Sequence, residues 1–143
     1  MKCRIMIDPD REEEVVIYTH TRTPLVEQIE ALITNEQERL IGYRGDRIVP
    51  LDPAHVCCLT VEDGRVYALT TTEKLWIKER LYALEERLGD AFLKINQSCL
   101  INVRRIKCFS ASIGGALSVT LENGFCDYIS RRQLRQVKER MGL

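Results

Sequence analysis

Residues 117–130, Leu117-Ser118-Val119-Thr120-Leu121-Glu122-Asn123-Gly124-Phe125-Cys126-Asp127-Tyr128-Ile129-Ser130, decide the fold class. Leu117, Val119 and Leu121 alternate with Ser118 and Thr120, the period of a strand with one buried face. Asn123-Gly124 then turns the chain into a second extended piece, Phe125 to Ile129. Upstream, Ile106 to Ser112 and Ala116 to Leu121 flank Gly114-Gly115 as the arms of another hairpin. Downstream the period changes. Ser130 is placed as a helix cap, Gln133 three residues on completes a capping box, and Leu134, Val137 and Met141 make the apolar stripe of a final helix.

Further out the same short pieces recur. Leu40 to Tyr43, Arg47 to Leu51, Ala54 to Val61, Arg65 to Thr71 beyond the Glu62-Asp63-Gly64 turn, and Leu75 to Lys78 all read as extended. Leu81, Leu84 and Leu88, closed by Gly89, predict a helix of about two to three turns. Near the start, Val15 to Thr19 reads as a strand. Thr23-Pro24 then opens an amphipathic helix carrying Leu25, Ile29, Leu32 and Ile33. The polar run Thr34 to Arg39 is the nearest thing to a linker. Many short strands with small helices give a mainly β, α+β domain preceded by a short strand-helix segment.

Composition limits what this domain can be. With 143 residues, 45% hydrophobic and 29% charged, the chain reads as one globular unit and not as a disordered tail or a fibrous repeat. A chain of this size buries roughly 68–70% of its unfolded surface, enough to hold a core without metal or disulfide. No apolar run approaches the ~18 residues of a membrane span, and Met1 to Asp8 lacks the pattern of a secretory signal, so a cytoplasmic location is expected. The six cysteines (3, 57, 58, 99, 108 and 126) are then expected as reduced, buried small apolar residues. No C-x-x-C or clustered histidine offers zinc spacing, and neither metal nor cofactor is expected.

Residues that could carry catalysis are few. His20 and His55 are the only imidazoles, Ser98-Cys99 lacks a glycine-flanked elbow, and no glycine-rich phosphate loop exists. An enzyme is not expected. The formal net charge of zero conceals a polarised chain: residues 1–93 hold 12 Lys+Arg against 18 Asp+Glu, and residues 94–143 hold 9 against 3. A basic half is a recognised mark of a nucleic-acid face. Arg131 and Arg132 sharpen the point. They follow the cap Ser130 at a helix end where the macrodipole already favours anions, so their placement asks for a phosphate or the O6/N7 edge of guanine.

Lys94-Ile95-Asn96-Gln97-Ser98-Cys99-Leu100-Ile101-Asn102-Val103, then Ile106, Leu117 to Gly124, and Tyr128-Ile129-Ser130-Arg131-Arg132, resemble the signature of LytTR DNA-binding domains. The resemblance extends upstream through Val56 to Leu88. It implies a LytTR-like domain of about ten short strands over residues 46–143, with 1–45 as a separate packing or dimerisation element. It also implies a bacterial transcriptional regulator that reads the major grooves of double-stranded DNA through loops. By match to the family's motif, Arg65, Gln97 and Arg131 are expected to contact bases, and Lys94, Ser98, Asn102, Arg104 and Arg132 to contact phosphates. Family members often carry Arg or Asn where Gln97 stands; a glutamine amide suits adenine. Glu62 and Asp63 offer Arg65 a competing role in a solvated ion pair. The family's repeated target sites imply a homodimer, and its standalone members imply a small membrane-protein regulator as partner. The competing functional reading is a protein-interaction module whose basic C-terminal half docks an acidic partner.

Overall fold

Alternation of apolar and polar side chains forms strands where it was read between residues 40 and 128. The computed structural model describes residues 1–37 and 39–143, leaving aside the side chains of 34–37. It divides into two units, Met1–Thr34 and Asn35–Leu143. The smaller contains most of helix α1 (Pro24–Gln37), whose first turn is capped by the Thr23 hydroxyl accepting from the Val26 amide at 3.3 Å. Two expectations for this unit are corrected. Val15–Thr19 joins no sheet, for want of a partner strand. The helix buries Val26 and half-buries Ile29, while Leu25 and Leu32 stand 50% and 69% exposed, because the covered face runs through 26, 29 and 33. The linker expected at Thr34 to Arg39 is helical to Gln37, and Glu38 lies outside the described residues.

The larger unit holds ten strands: β1 (Leu40–Arg44), β2 (Arg47–Leu51), β3 (Cys58–Glu62), β4 (Arg65–Leu69), β5 (Lys74–Ile77), β6 (Phe92–Asn96), β7 (Cys99–Asn102), β8 (Ile106–Ala111), β9 (Leu117–Leu121) and β10 (Cys126–Tyr128). Helix α2 (Leu81–Leu88) follows β5 and α3 (Arg131–Met141) follows β10. Seven strands form one antiparallel sheet in the order β2-β1-β5-β4-β3-β7-β6, and three form a second in the order β10-β9-β8. Because β1 pairs with both β2 and β5, the strand at Leu40–Arg44 lies in the larger unit. At the start of the piece read as Ala54 to Val61, Pro53–His55 is instead a 3-10 turn capped by Asp52; proline at its first position cannot donate to a ladder.

Each face of the large sheet has its own core. Leu59, Val66, Ala68, Leu75, Ile77, Phe92 and Leu100 pack with Leu84 and Leu88 of α2. On the other face, Cys58, Leu93, Ile95, Cys99 and Ile101 pack with Val119 and Leu121 of the small sheet and Val137 of α3. β6 and β7 thus supply side chains to both layers, with a pairing irregularity between Lys94 and Asn96. Truncating a fully buried member such as Leu100 to Ala would cost about 2–5 kcal/mol. Gly42 is required by packing: a Cβ there would lie 2.8 Å from Leu75 Cβ. The β3–β4 turn needs its sequence too. Asp63 and Gly64 both take positive φ, 50° and 76°, in the two-residue hairpin that sets Arg65 opposite Glu62.

The cysteines divide. Cys57, Cys58 and Cys99 are buried in the second core, whereas Cys3, Cys108 and Cys126 are exposed free thiols. A hydrogen bond with Cys58, then burial, pushes the Cys99 thiol up from its ordinary range, and burial raises Cys57.

Candidate nucleic-acid interface

Three turns meet at one end of the large sheet. The β6–β7 turn carries Gln97 and Ser98, the β3–β4 turn leads into Arg65, and the β10–α3 junction leads into Arg131. Backbone bonds tie them. Val61 N–H, just before the β3–β4 turn, donates to the Ser98 carbonyl at 2.9 Å, and Ser130 N–H donates to the Ile95 carbonyl at 2.8 Å.

Asn96 completes the joint. It is 2% exposed. Its Nδ2 donates to the Tyr128 carbonyl at 2.9 Å and to the Asp127 carboxylate at 3.0 Å, while its Oδ1 accepts from Ser98 N–H at 2.9 Å. One buried amide therefore fixes the turn that carries Gln97 against the strand that delivers Arg131. An unpaired buried amide is costly, so saturated bonding makes this joint rigid. Sequence reading placed Asn96 in the motif without giving it a role; its signal was an asparagine two residues before a turn amide, the pattern of an Asx turn.

Gln97, Ser98, Arg131 and Arg132 are all exposed. Arg65 and Gln97 line one groove of about 530 Å³, together with Trp76, Lys78, Tyr82 and Lys94. The Arg65 guanidinium sits 4.6 Å from the Trp76 ring centroid. Stacking of this kind holds the side chain while leaving its N–H edge available. Arg65 does not pair with Glu62, which pairs instead with Lys74 of β5, two strands away. That bond also raises the Lys74 pKa. Lys78 lies over Tyr43 at 4.3 Å, so the cations continue along an aromatic row formed by Tyr43, Trp76 and Tyr67 on adjacent strands.

The start of α3 differs in one respect from its reading. Ser130 occupies the N-cap, but its hydroxyl makes no cap bond, so the capping box with Gln133 is not closed. The Gln133 amide bonds the Ser130 carbonyl instead, at 3.0 Å. No acidic residue occupies the first turn of α3, and among the described residues neither Arg131 nor Arg132 forms an ion pair.

Not every expected phosphate contact belongs to this end. Lys94 is half-buried beside Glu85, 4.0 Å away. Asn102 is 3% exposed, and its Nδ2 donates to the Val56 carbonyl at 3.0 Å while its Oδ1 accepts from Arg104 N–H at 3.0 Å. This corrects its assignment: a buried side chain with those partners cannot meet a phosphate. Arg104 is exposed, yet it follows β7 at the end opposite Gln97. Neither Arg104 nor Asn102 is brought to the end that carries the other six side chains. His20 and His55 are exposed and isolated, and the described residues contain no cluster that could hold a metal ion. No helix among them is long and apolar enough to cross a membrane.

Comparison with known proteins agrees with this architecture. The LytTr DNA-binding domain family model matches residues 46–142. An uncharacterized HTH-type transcriptional regulator of Staphylococcus aureus (strain NCTC 8325 / PS 47) is 27% identical over 146 residues, spanning 100% of this chain and 99% of the relative. A second from strain MSSA476 is 29% identical over 109 residues, spanning 76% of this chain and 74% of the relative. A solved LytTr DNA-binding domain from Bacillus cereus superposes with a TM-score of 0.70 at 20% identity, covering 74% of this chain and 98% of that one. With a family model matching residues 46–142, more than half of its length, the chain belongs to the LytTR DNA-binding domain family.

Proposed function

We propose that this chain is a transcriptional regulator that binds double-stranded DNA in a sequence-specific manner, presenting Arg65, Gln97 and Arg131 to base edges in the major groove. The observation that carries the reading is the joint at Asn96: it ties together the turns that present these side chains and leaves the side chains themselves without competing ion pairs. A guanidinium fork suits guanine O6/N7, and the Gln97 amide suits adenine N6/N7. Ser98, Lys94 and Arg132 stand beside them to contact phosphates, which sets register without reading sequence. Two copies on repeated half-sites would form the working unit.

Selection of duplexes from a random pool gives the operator and the half-site spacing. Retention should weaken steeply with salt as phosphate contacts release counterions. Arg131→Ala should then reduce affinity for the selected site while affecting a scrambled duplex much less. Equal loss on both would remove its base-reading role. No retention of any duplex at low salt, beside a stable complex with an acidic protein, would replace the reading with that of a protein-docking module.

A further inference from the structure

The N-terminal unit contains a stretch that its own fold leaves unpaired. Residues 12–22 read Glu12-Glu13-Glu14-Val15-Val16-Ile17-Tyr18-Thr19-His20-Thr21-Arg22. Among the described residues, their backbone forms no backbone–backbone hydrogen bond. Val15 and Ile17 lie along α1, lining a cavity of about 220 Å³ with Val26, Ile29 and Ile33. Ile17 is half-buried there, whereas Val15, Val16 and Tyr18 are 57%, 58% and 93% exposed. Alternate residues on one side are what an extended backbone gives. Ile5 and Ile7 are exposed as well. A unit of this length falls below the ~40 residues at which a chain usually holds a core without disulfide, metal or association. Its one cysteine, Cys3, is free, and the described residues include no metal cluster. Association remains.

We propose that residues 12–22 pair antiparallel with the same residues of a second copy, about a two-fold axis at Ile17. The charge pattern of the stretch selects that partner and that register. With Ile17 facing Ile17, Glu12 stands opposite Arg22 and Glu14 opposite His20, and the two-fold repeats both pairs. Val16 meets Tyr18 and Val15 meets Thr19, so apolar residues occupy the centre. Moving the axis one residue to Tyr18 leaves only Glu14 opposite Arg22. Moving it to Val16 sets Glu14 against Tyr18 and carries Arg22 out to Asp10, which lies in the turn at residues 9–10. Opposite charges and aromatic–β-branched pairs directly across a ladder are each favourable, and like charges are not. Arg22 already pairs with Glu30 on α1; both are exposed, and the remaining guanidinium N–H groups are available to Glu12. The inference names the surface for the homodimer read above and rests on that reading.

The test uses the full chain without DNA, with Cys3, Cys108 and Cys126 changed to Ser. Sedimentation should show a dimer. Glu12→Arg with Glu14→Arg in one variant, and His20→Glu with Arg22→Glu in another, should each weaken self-association by on the order of tenfold or more. Mixed one to one, the two variants should regain a dimer, since each substituted residue again faces one of opposite sign. On the same background, Ile17→Cys should cross-link far faster than Val15→Cys. Facing residues lie about 4.5–5.5 Å apart, within disulfide reach, whereas the two copies of residue 15 would be ~13 Å apart. A monomeric chain, swapped variants that dimerise like the parent, a mixture that fails to regain a dimer, or equal cross-linking at 15 and 17 would each overturn the proposal. Because no measurement involves DNA, a dimer that binds no duplex would overturn only the DNA-binding reading.

Discussion

The two ends of the β6–β7 hairpin each hold a buried asparagine, and the contrast between them separates the proposed binding surface from a structural clasp. At the turn end, the bonds of Asn96 are made to Tyr128, Asp127 and Ser98, and the neighbouring Arg65, Gln97 and Arg131 remain exposed. At the far end, Asn102 bonds Val56 and Arg104 backbone, and the arginine beside it is consumed. Arg105 donates to the Ala54 carbonyl at 2.9 and 3.1 Å and pairs with Glu122 at 3.1 Å. Similar residue types thus do different work. What distinguishes them is whether the cations have partners inside the fold.

The contrast is broken most severely by Asn96→Ala. Ser98 N–H, the Tyr128 carbonyl and the Asp127 carboxylate would lose their partner, at about 1–3 kcal/mol of stability. The larger effect is expected on operator binding, because the turns carrying Gln97 and Arg131 lose their common anchor. Two base contacts at ~1–3 kcal/mol each correspond to a loss on the order of 100-fold or more, measured at equal folded fraction. Asn102→Ala is the matched control. It should cost similar stability in a urea titration yet leave the affinity of the folded protein close to that of the parent; a 100-fold loss there would erase the distinction between the two ends.

Arg131→Ala and Arg105→Ala sharpen the same comparison with smaller effects. Among the described residues Arg131 has no ion-pair partner, so its removal should leave the melting temperature unchanged and cost ~1–3 kcal/mol of binding to the selected site. Arg105 is the reverse: its removal should cost about 1–2 kcal/mol of stability through the lost backbone and Glu122 bonds and change binding little. An Arg131 variant that melts early, with binding lost in proportion, would assign that residue to the scaffold.

Much of this architecture was legible beforehand because strand periodicity and turn chemistry are local. Leu117, Val119 and Leu121 faced inward as read, and Asp63-Gly64 formed the two-residue hairpin its sequence requires. Long-range partners were not legible. Nothing adjacent to Asn102 announces that its amide reaches Val56, 46 positions away. Nor does Glu62, three residues before Arg65, reveal that it will pair across the sheet with Lys74 and leave Arg65 to stack on Trp76. The N-terminal strand failed for a related reason. Val15–Thr19 has the right residues, but a strand also needs a neighbour, and the described residues supply none. The HTH-type designation of the Staphylococcus aureus relatives implies a pair of adjacent helices, whereas α2 and α3 of this chain are separated by five strands.

The smallest effect concerns the thiols packed between β3 and β7. Cys99 and Cys57 have their pKa raised in the fold, so the native state holds their protons more tightly than the unfolded chain does. Their contribution is fully present below the ordinary thiol value of 9.0 and is lost as pH rises above it toward the folded value. Stability measured by urea should therefore hold through neutral pH and decline above about pH 9, and Cys99→Ser should flatten part of that decline. A thiol reagent at pH 8 should meanwhile modify Cys3, Cys108 and Cys126 in the folded protein and reach Cys57, Cys58 and Cys99 only on unfolding. Fast labelling of Cys99 in the native state would mean that the β3–β7 layer opens readily. The hairpin that carries Gln97 would then be too mobile for the two ends to differ as described.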